Sequence, residues 1–66
     1  MKNSIRVARA ERRMTQQQLA DAVGVSRQTG NAIESGRFIP STVLALKVAR
    51  LCEKPGEEMF SLEEGD

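Results

Sequence analysis

Basic side chains are concentrated in the first three quarters of the 66-residue chain. Residues 1–50 carry nine basic side chains against three carboxylates, a net charge of +6. These basic residues are Lys2, Arg6, Arg9, Arg12, Arg13, Arg27, Arg37, Lys47 and Arg50. Residues 51–66 carry six carboxylates against one lysine, a net charge of −5. A basic body of this kind can bind a polyanion. The acidic end then lies on the far side, or is only a solvated tail.

Other side chains with chemical potential are few. The chain has one cysteine, Cys52, and no histidine, so it lacks an internal disulfide and the ligands of a zinc site. With no histidine to activate it, Cys52 is expected to be a core thiol. The only aromatic residues are Phe38 and Phe60, which argues against the stacking platforms that bind RNA or single strands. We therefore predict a protein that is not an enzyme and uses no metal or cofactor.

The apolar pattern bounds the class of protein. No apolar run follows Met1 and Lys2, and no stretch approaches the roughly 18 apolar residues of a membrane span. With a lone cysteine, this favours a cytoplasmic protein without a membrane partner. The 66 residues correspond to one domain, small enough to need a partner subunit or very regular helices.

Helical periodicity and turn residues predict five helices. They cover about 4–13, 16–23, 27–34, 42–52 and 55–60. Thr15, Ser26 and Ser41 are placed to cap three of them, and Thr15 with Gln18 forms a capping box. Gly24 ends the second helix, because glycine takes the positive φ of a helix C-terminus without strain.

The second and third helices are joined by a turn short enough to make them cross steeply. Such a crossing needs a small residue where the helices touch, which Ala20 supplies, and an unstrained bend, which Gly24 supplies. Leu19 faces the core, and Val25 and Ile33 hold the third helix. That helix then projects from the surface and can enter a DNA major groove, which is about 12 Å wide.

The pattern resembles the Cro/C1-type helix-turn-helix family of bacterial and phage regulators, and more narrowly its short, stand-alone members. The matching residues are Gln16-Gln17-Gln18-Leu19-Ala20, Gly24-Val25-Ser26-Arg27-Gln28-Thr29, Ile33-Glu34-Ser35-Gly36-Arg37, Pro40-Ser41, Leu44-Ala45-Leu46 and Ala49. The resemblance covers nearly the whole chain. It implies an all-α, five-helix, lambda-repressor-like domain over residues 1–66, with the helix-turn-helix at 16–35. In some short members the termini also pair as strands, here Met1–Asn3 with Ser61–Glu63.

The resemblance also implies double-stranded DNA as partner. The residues it assigns to base edges are Arg27, Gln28, Asn31 and Ala32. Those it assigns to phosphates are Gln16, Ser26 and Arg37. Arginine can grip guanine with two hydrogen bonds, glutamine or asparagine can grip adenine, and alanine can meet a thymine methyl. The alternative for each is an ordinary solvated residue or a cap.

Two further features concern the family pattern: a predicted ion pair and one departure. The family often pairs an arginine of the first helix with a glutamate near the end of the third, which predicts an ion pair between Arg9 and Glu34. Gly30 departs from the pattern, which usually has an aliphatic core residue there. Either Met14 or Phe38 fills the space, or the helix lies closer to its support, or the chain is a destabilised variant. An isoleucine at this position is then expected to raise the melting temperature.

The expected oligomeric state follows from the small number of base pairs that one domain can contact. A monomer reading about four base pairs would bind weakly, so we predict a homodimer on a palindromic operator, with recognition helices about 34 Å apart. The expected dimerisation region is about 51–63, through Leu51, Met59, Phe60 and Leu62. Alternatively, Phe60 and Leu62 only fold back on the fourth helix.

Repression by excluding polymerase is the expected action of such a dimer. Control would come from protein level, dimer dissociation or an unidentified regulatory protein. Two other functions stay open for the same domain, a protein-interaction adaptor and an antitoxin.

Overall fold

Five helices and a two-stranded sheet make up the computed structural model, which describes residues 1–66. The elements are β1 (Lys2–Asn3), α1 (Ile5–Glu11), α2 (Gln16–Val23), α3 (Arg27–Glu34), α4 (Thr42–Leu51), α5 (Gly56–Met59) and β2 (Phe60–Ser61). The predicted five-helix, all-α architecture is confirmed, together with a short pair of terminal strands. None of the helices has the length and apolar character that a membrane span requires.

Local capping explains the ends of α2 and the start of α3. The Gln18 amide N–H donates to Thr15 Oγ1 at 3.0 Å, and the Thr15 N–H donates to Gln18 Oε1 at 2.9 Å. This reciprocal pair satisfies two backbone donors that the first turn would otherwise leave free. Gly24 then ends α2 with φ at +80°, in the left-handed region. Ser26 Oγ accepts from the Thr29 N–H at 3.1 Å and so begins α3.

The two outermost helices are shorter than predicted. α1 ends at Glu11 rather than Arg13, because Arg13 turns to a positive φ of 53° and leads the chain towards α2. α5 ends at Met59 because Phe60 is extended and belongs to a strand. α5 therefore ends because Phe60 pairs with a distant strand, whereas α1 ends at a turn of its own backbone.

The terminal strands pair antiparallel, with Lys2 opposite Ser61 and Asn3 opposite Phe60. The pairing therefore starts one residue earlier on the C-terminal side than the predicted segment Ser61–Glu63. The Ser4 N–H extends the connection by donating to the Met59 carbonyl at 2.9 Å. Both strands belong to the same chain, so they close one domain.

One apolar core is shared by all five helices. Its buried members are Ile5, Ala8, Leu19, Val23, Ile33, Val48, Ala49, Cys52 and Met59. Burial raises the pKa of the Cys52 thiol, which disfavours the nucleophilic thiolate. Met59 has no exposed surface. The prediction that Met59 lies in a dimer interface is therefore wrong. The short helix α5 turns the Met59 side chain into the core of its own chain, where a second chain cannot contact it.

Gly30 on α3 lies opposite Ala20 on α2. A Cβ added to it would stand 3.4 Å from the Ala20 Cβ, at the near limit of ordinary van der Waals contact. No atom of Met14 or Phe38 lies within 4 Å of that position. Of the three explanations for this glycine, the structure therefore favours close approach of the two helices over filling by a neighbour.

Gly30→Ala is expected to stabilise the domain by up to about 1 kcal/mol, because alanine costs less than glycine in a helix and its methyl group just fits. Thermal unfolding should show a melting temperature higher by about 4–8 °C. Gly30→Ile should raise the melting temperature less than Gly30→Ala does, because the extra carbons of isoleucine must be accommodated beyond the contact with Ala20. Gly24→Ala is the matched control and should lower stability, because of the positive φ at that position. A larger gain with isoleucine than with alanine would contradict the close approach.

Candidate nucleic-acid interface

The outward face of α3 carries two long polar side chains that make no intramolecular hydrogen bond or ion pair. Arg27 and Gln28 are exposed and make no side-chain hydrogen bond or ion pair. Both lie in the first turn of α3, while Ile33 on the opposite side of the helix is buried. Ala32, one turn further along, is half-buried. This face can therefore present guanidinium and carboxamide groups to an external partner.

The start of α3 is held by its cap. Besides accepting from the Thr29 N–H, the Ser26 hydroxyl donates to Thr29 Oγ1 at 3.0 Å. Ser26 stays exposed. The free N–H groups of a helix N-terminus favour an anion beside this cap.

Three residues from different elements meet beside α3. Arg37, in the loop after α3, donates from Nη2 to Asn31 Oδ1 at 2.7 Å. Asn31 Nδ2 in turn donates to Oε1 of Gln16, the first residue of α2, at 3.4 Å. With Arg27 and Gln28, these side chains line one shallow polar hollow. The structure thus brings together five of the seven residues assigned to DNA: Gln16, Arg27, Gln28, Asn31 and Arg37.

Arg9 and Glu34 are in direct contact. Arg9 Nε donates to Oε2 of Glu34 at 3.0 Å, and Nη2 donates to Oε1 at 2.8 Å. The remaining guanidinium nitrogen, Nη1, donates to the Met14 carbonyl at 2.9 Å. One arginine therefore joins α1, the turn before α2 and the end of α3. The pair is well shielded, since the side chains of Arg9 and Glu34 are 15% and 6% exposed.

The charge of Glu34 is stabilised despite its burial. Burial by itself would raise the pKa of this carboxyl group, but the hydrogen bonds and charge of Arg9 outweigh it, with help from Gln16 and Arg6. The net effect is a lowered pKa for Glu34. The same hydrogen bonds to Glu34 raise the pKa of Arg9. Glu34 therefore has a structural contact, and only 6% of its side chain is exposed.

Asn3 is a contributor that sequence reasoning missed. Its Nδ2 donates to the carbonyls of Ile33 and Glu34 at 2.9 and 3.3 Å, and its Oδ1 accepts from the Ile5 N–H at 3.1 Å. The asparagine so caps the last turn of α3 and the first turn of α1. No local pattern predicts the contacts of Asn3 with Ile33 and Glu34, because these residues are about 30 positions away in the sequence.

Arg6, one of the basic residues of the N-terminal part, lies near Glu34. Its Nε lies 3.5 Å from Glu34 Oε1, yet 83% of the side chain is exposed. It borders the same pocket as Gln16 and Asn31.

The predicted dimer residues differ in their availability. Leu51 and Phe60 are half-buried against the core of their own chain. Leu62 is 78% exposed. Four other large apolar side chains are exposed on α4 and the loop before it: Phe38, Ile39, Val43 and Leu46. These four were not predicted as dimer contacts, because the helical pattern of α4 indicates only the side of the helix that packs into the core.

Comparison with known proteins agrees with this geometry. A family model described as helix-turn-helix matches residues 5–59. The chain belongs to the Cro/C1-type helix-turn-helix family. Among its relatives is the uncharacterized HTH-type transcriptional regulator YgzD of Bacillus subtilis (strain 168), 44% identical over 97% of each chain. Another such regulator, from Methanocaldococcus jannaschii, is 42% identical over the full length of both chains. A third, from Methanothermobacter thermautotrophicus, is 46% identical over 97% of this chain and 94% of its own length.

The helix-turn-helix depends on the charge of Glu34, and this has a pH signature. Because its pKa is lower in the folded state, its contribution to stability is complete above its ordinary value of 4.5 and is lost as pH falls towards the folded value. Glu34→Gln should destabilise the domain by about 3 kcal/mol at neutral pH, since Arg9 is left without its counter-charge. It should also flatten the loss of stability on acidification.

Urea unfolding followed by circular dichroism between neutral and acidic pH measures both effects. Glu64→Gln, in the exposed tail, is the matched control and should behave as the wild type does. Equal acid sensitivity of the wild type and Glu34→Gln would show that this carboxylate does not stabilise the fold.

Proposed function

We propose that this chain binds double-stranded DNA in a sequence-specific way and acts as a homodimeric repressor on a palindromic operator. The observation that carries the proposal is the outward face of α3. Arg27 and Gln28 stand there exposed and without intramolecular partners, in the first turn of the second helix of a helix-turn-helix. In proteins that read the major groove through this motif, the N-terminal residues of the second helix contact base edges.

The chemistry of these side chains fits the major groove. Arg27 can donate two hydrogen bonds to O6 and N7 of guanine, and Gln28 can pair with N6 and N7 of adenine. Ala32, less exposed, can contact a thymine methyl group. Each good bidentate pair discriminates against the wrong base by about 1–3 kcal/mol. The base contacts we propose are therefore Arg27, Gln28 and Ala32.

Phosphate contacts are proposed on both sides of α3. Ser26 sits at its N-terminus, where free N–H groups and the helix dipole favour an anion. Gln16 begins α2, and Arg37 follows the C-terminal end of α3. Contacts of this kind set the register of the protein on the duplex, while base contacts specify the sequence.

A second copy of the chain is the proposed partner on DNA. Leu46, exposed on α4, lies beside α5: its Cδ2 is 3.8 Å from where a Cβ on Gly56 would stand. Val43 and Leu46 on α4, and Leu62 near the C-terminus, are exposed apolar side chains that a symmetric dimer could bury. A dimer seated on its operator would exclude polymerase from the same DNA, so repression by occlusion is the proposed action.

Selection of bound duplexes from a random pool tests the DNA proposal. We expect a palindrome, and binding that weakens steeply between about 50 and 200 mM salt, because phosphate contacts release counterions. Arg27→Ala and Gln28→Ala should each relax specificity at one base pair of every half-site, by about 1–3 kcal/mol.

Lys54→Ala is the matched control, since it also removes one positive charge but lies between α4 and α5, paired with Glu11 at 3.5 Å. It should leave the selected sequence unchanged. Failure to enrich any sequence, with salt-insensitive binding to a protein instead, would favour an adaptor or antitoxin and overturn the repressor proposal.

Leu46→Glu should weaken the homodimer by at least about 30-fold, because a charge then enters the apolar surface. Analytical ultracentrifugation over a range of concentrations measures the change. Val7→Glu is the matched control: Val7 is 60% exposed and Leu46 58%, but Val7 lies on α1. A wild-type chain that stays monomeric at every concentration, or equal effects of the two variants, would contradict this interface.

A further inference from the structure

Asn31 occupies an unusual position among the residues assigned to DNA. Its carboxamide is engaged at both ends, with Oδ1 accepting from Arg37 and Nδ2 donating to Gln16. Arg27 and Gln28, on the same face of α3, have no such partners. A base-reading side chain must offer its donors and acceptors to the groove, whereas those of Asn31 already bridge two elements of the protein.

The orientation of this bridge follows from the charges at its two ends. Arg37 is a cation that can only donate, and Glu34 is an ionised carboxylate that can only accept. Gln16 borders the same pocket as Glu34 and helps to lower the pKa of that carboxyl group. Since Gln16 Oε1 accepts from Asn31, its Nε2 is the atom left to face the carboxylate. The hydrogen bonds therefore run in one direction, with Arg37 donating to Asn31 and Asn31 donating to Gln16.

Asn31 connects two of the predicted phosphate contacts, Gln16 and Arg37. Gln16 stands at the start of α2 and Arg37 beyond the end of α3, and Asn31 is the only residue that bonds to both. A second contact supports the arginine, because Arg37 Nε donates to Ser35 Oγ at 3.0 Å. Long polar side chains lose conformational entropy when DNA immobilises them, and ordering them beforehand reduces that loss.

We propose that Asn31 is a positioning residue that holds Gln16 and Arg37 ready for the DNA backbone, and that it does not select a base. The inference rests on the proposed DNA-binding function and deepens it. The residues of α3 then have different roles. Arg27 and Gln28 determine which sequence is bound, while Asn31 affects the affinity for any DNA sequence.

A double-mutant cycle on the selected operator tests this assignment. Arg37→Ala should weaken binding about tenfold, as expected for loss of one charged contact. Asn31→Ala should weaken binding by a similar or smaller factor, equally on operators with each base pair substituted in turn. If Asn31 acts through Arg37, the double variant should lose clearly less than the product of the two single losses. Gln28→Ala combined with Arg37→Ala is the matched control, and its losses should multiply.

Two results would overturn the assignment while leaving DNA binding intact. One is a loss in Asn31→Ala that is confined to a single base pair of the operator, which marks a base reader. The other is a full multiplication of the Asn31→Ala and Arg37→Ala losses, which marks two independent contacts. Absence of DNA binding by the wild type would instead defeat the proposed function itself.

A measurement on the free protein tests the bridge without DNA. In NMR spectra, Arg37→Ala should shift the side-chain amide signals of Asn31 and Gln16, because the donor to Asn31 Oδ1 is removed. Arg27→Ala, which removes an arginine without partners from the same helix, should leave those signals in place. Unchanged Asn31 amide signals in Arg37→Ala would show that the bridge does not form in solution.

Discussion

The largely shielded contact between Arg9 and Glu34 holds α3 to the rest of the molecule. Glu34 is the last residue of α3, and the guanidinium that neutralises it also binds the Met14 carbonyl in the turn before α2. The end of α3, the body of α1 and the approach to α2 are thus joined by one side chain. A charge at this depth is stable only while its partner is present. The direction in which α3 projects therefore depends on an electrostatic contact as well as on the apolar core.

The two sides of α3 are organised differently. On the inner side, Ile33 is buried and Gly30 lets the helix lie close to Ala20. On the outer side, Arg27 and Gln28 are solvated and unconstrained. Between the two sides runs a row of polar contacts that begins at Glu34 and ends in the loop after α3. Such an arrangement keeps the helix rigid while leaving its exposed groups free to adapt to a partner.

Prediction from sequence succeeded where the determinants are local. The bounds of α2 and α3 agree with the structure because Thr15, Gln18 and Ser26 make their capping contacts within three residues. It failed at the ends of α1 and α5: α1 ends early where Arg13 takes a positive φ, and α5 ends early where Phe60 begins the strand that pairs with β1. Met59 shows the same limit, since an apolar residue near a terminus can serve a core or a dimer equally well. The bonds of Asn31 could not be predicted, because they join three elements.

The close approach of α2 and α3 has a consequence for how such a protein can diversify. Ala20 and Gly30 set the separation of the two helices, and neither belongs to the outward face. Replacing the side chains at positions 27 and 28 leaves this spacing untouched. A new target preference can thus arise by a few surface exchanges without a new scaffold, whether by natural drift or by laboratory retargeting. A bulkier residue at position 20 would instead tilt every exposed group on α3 at once.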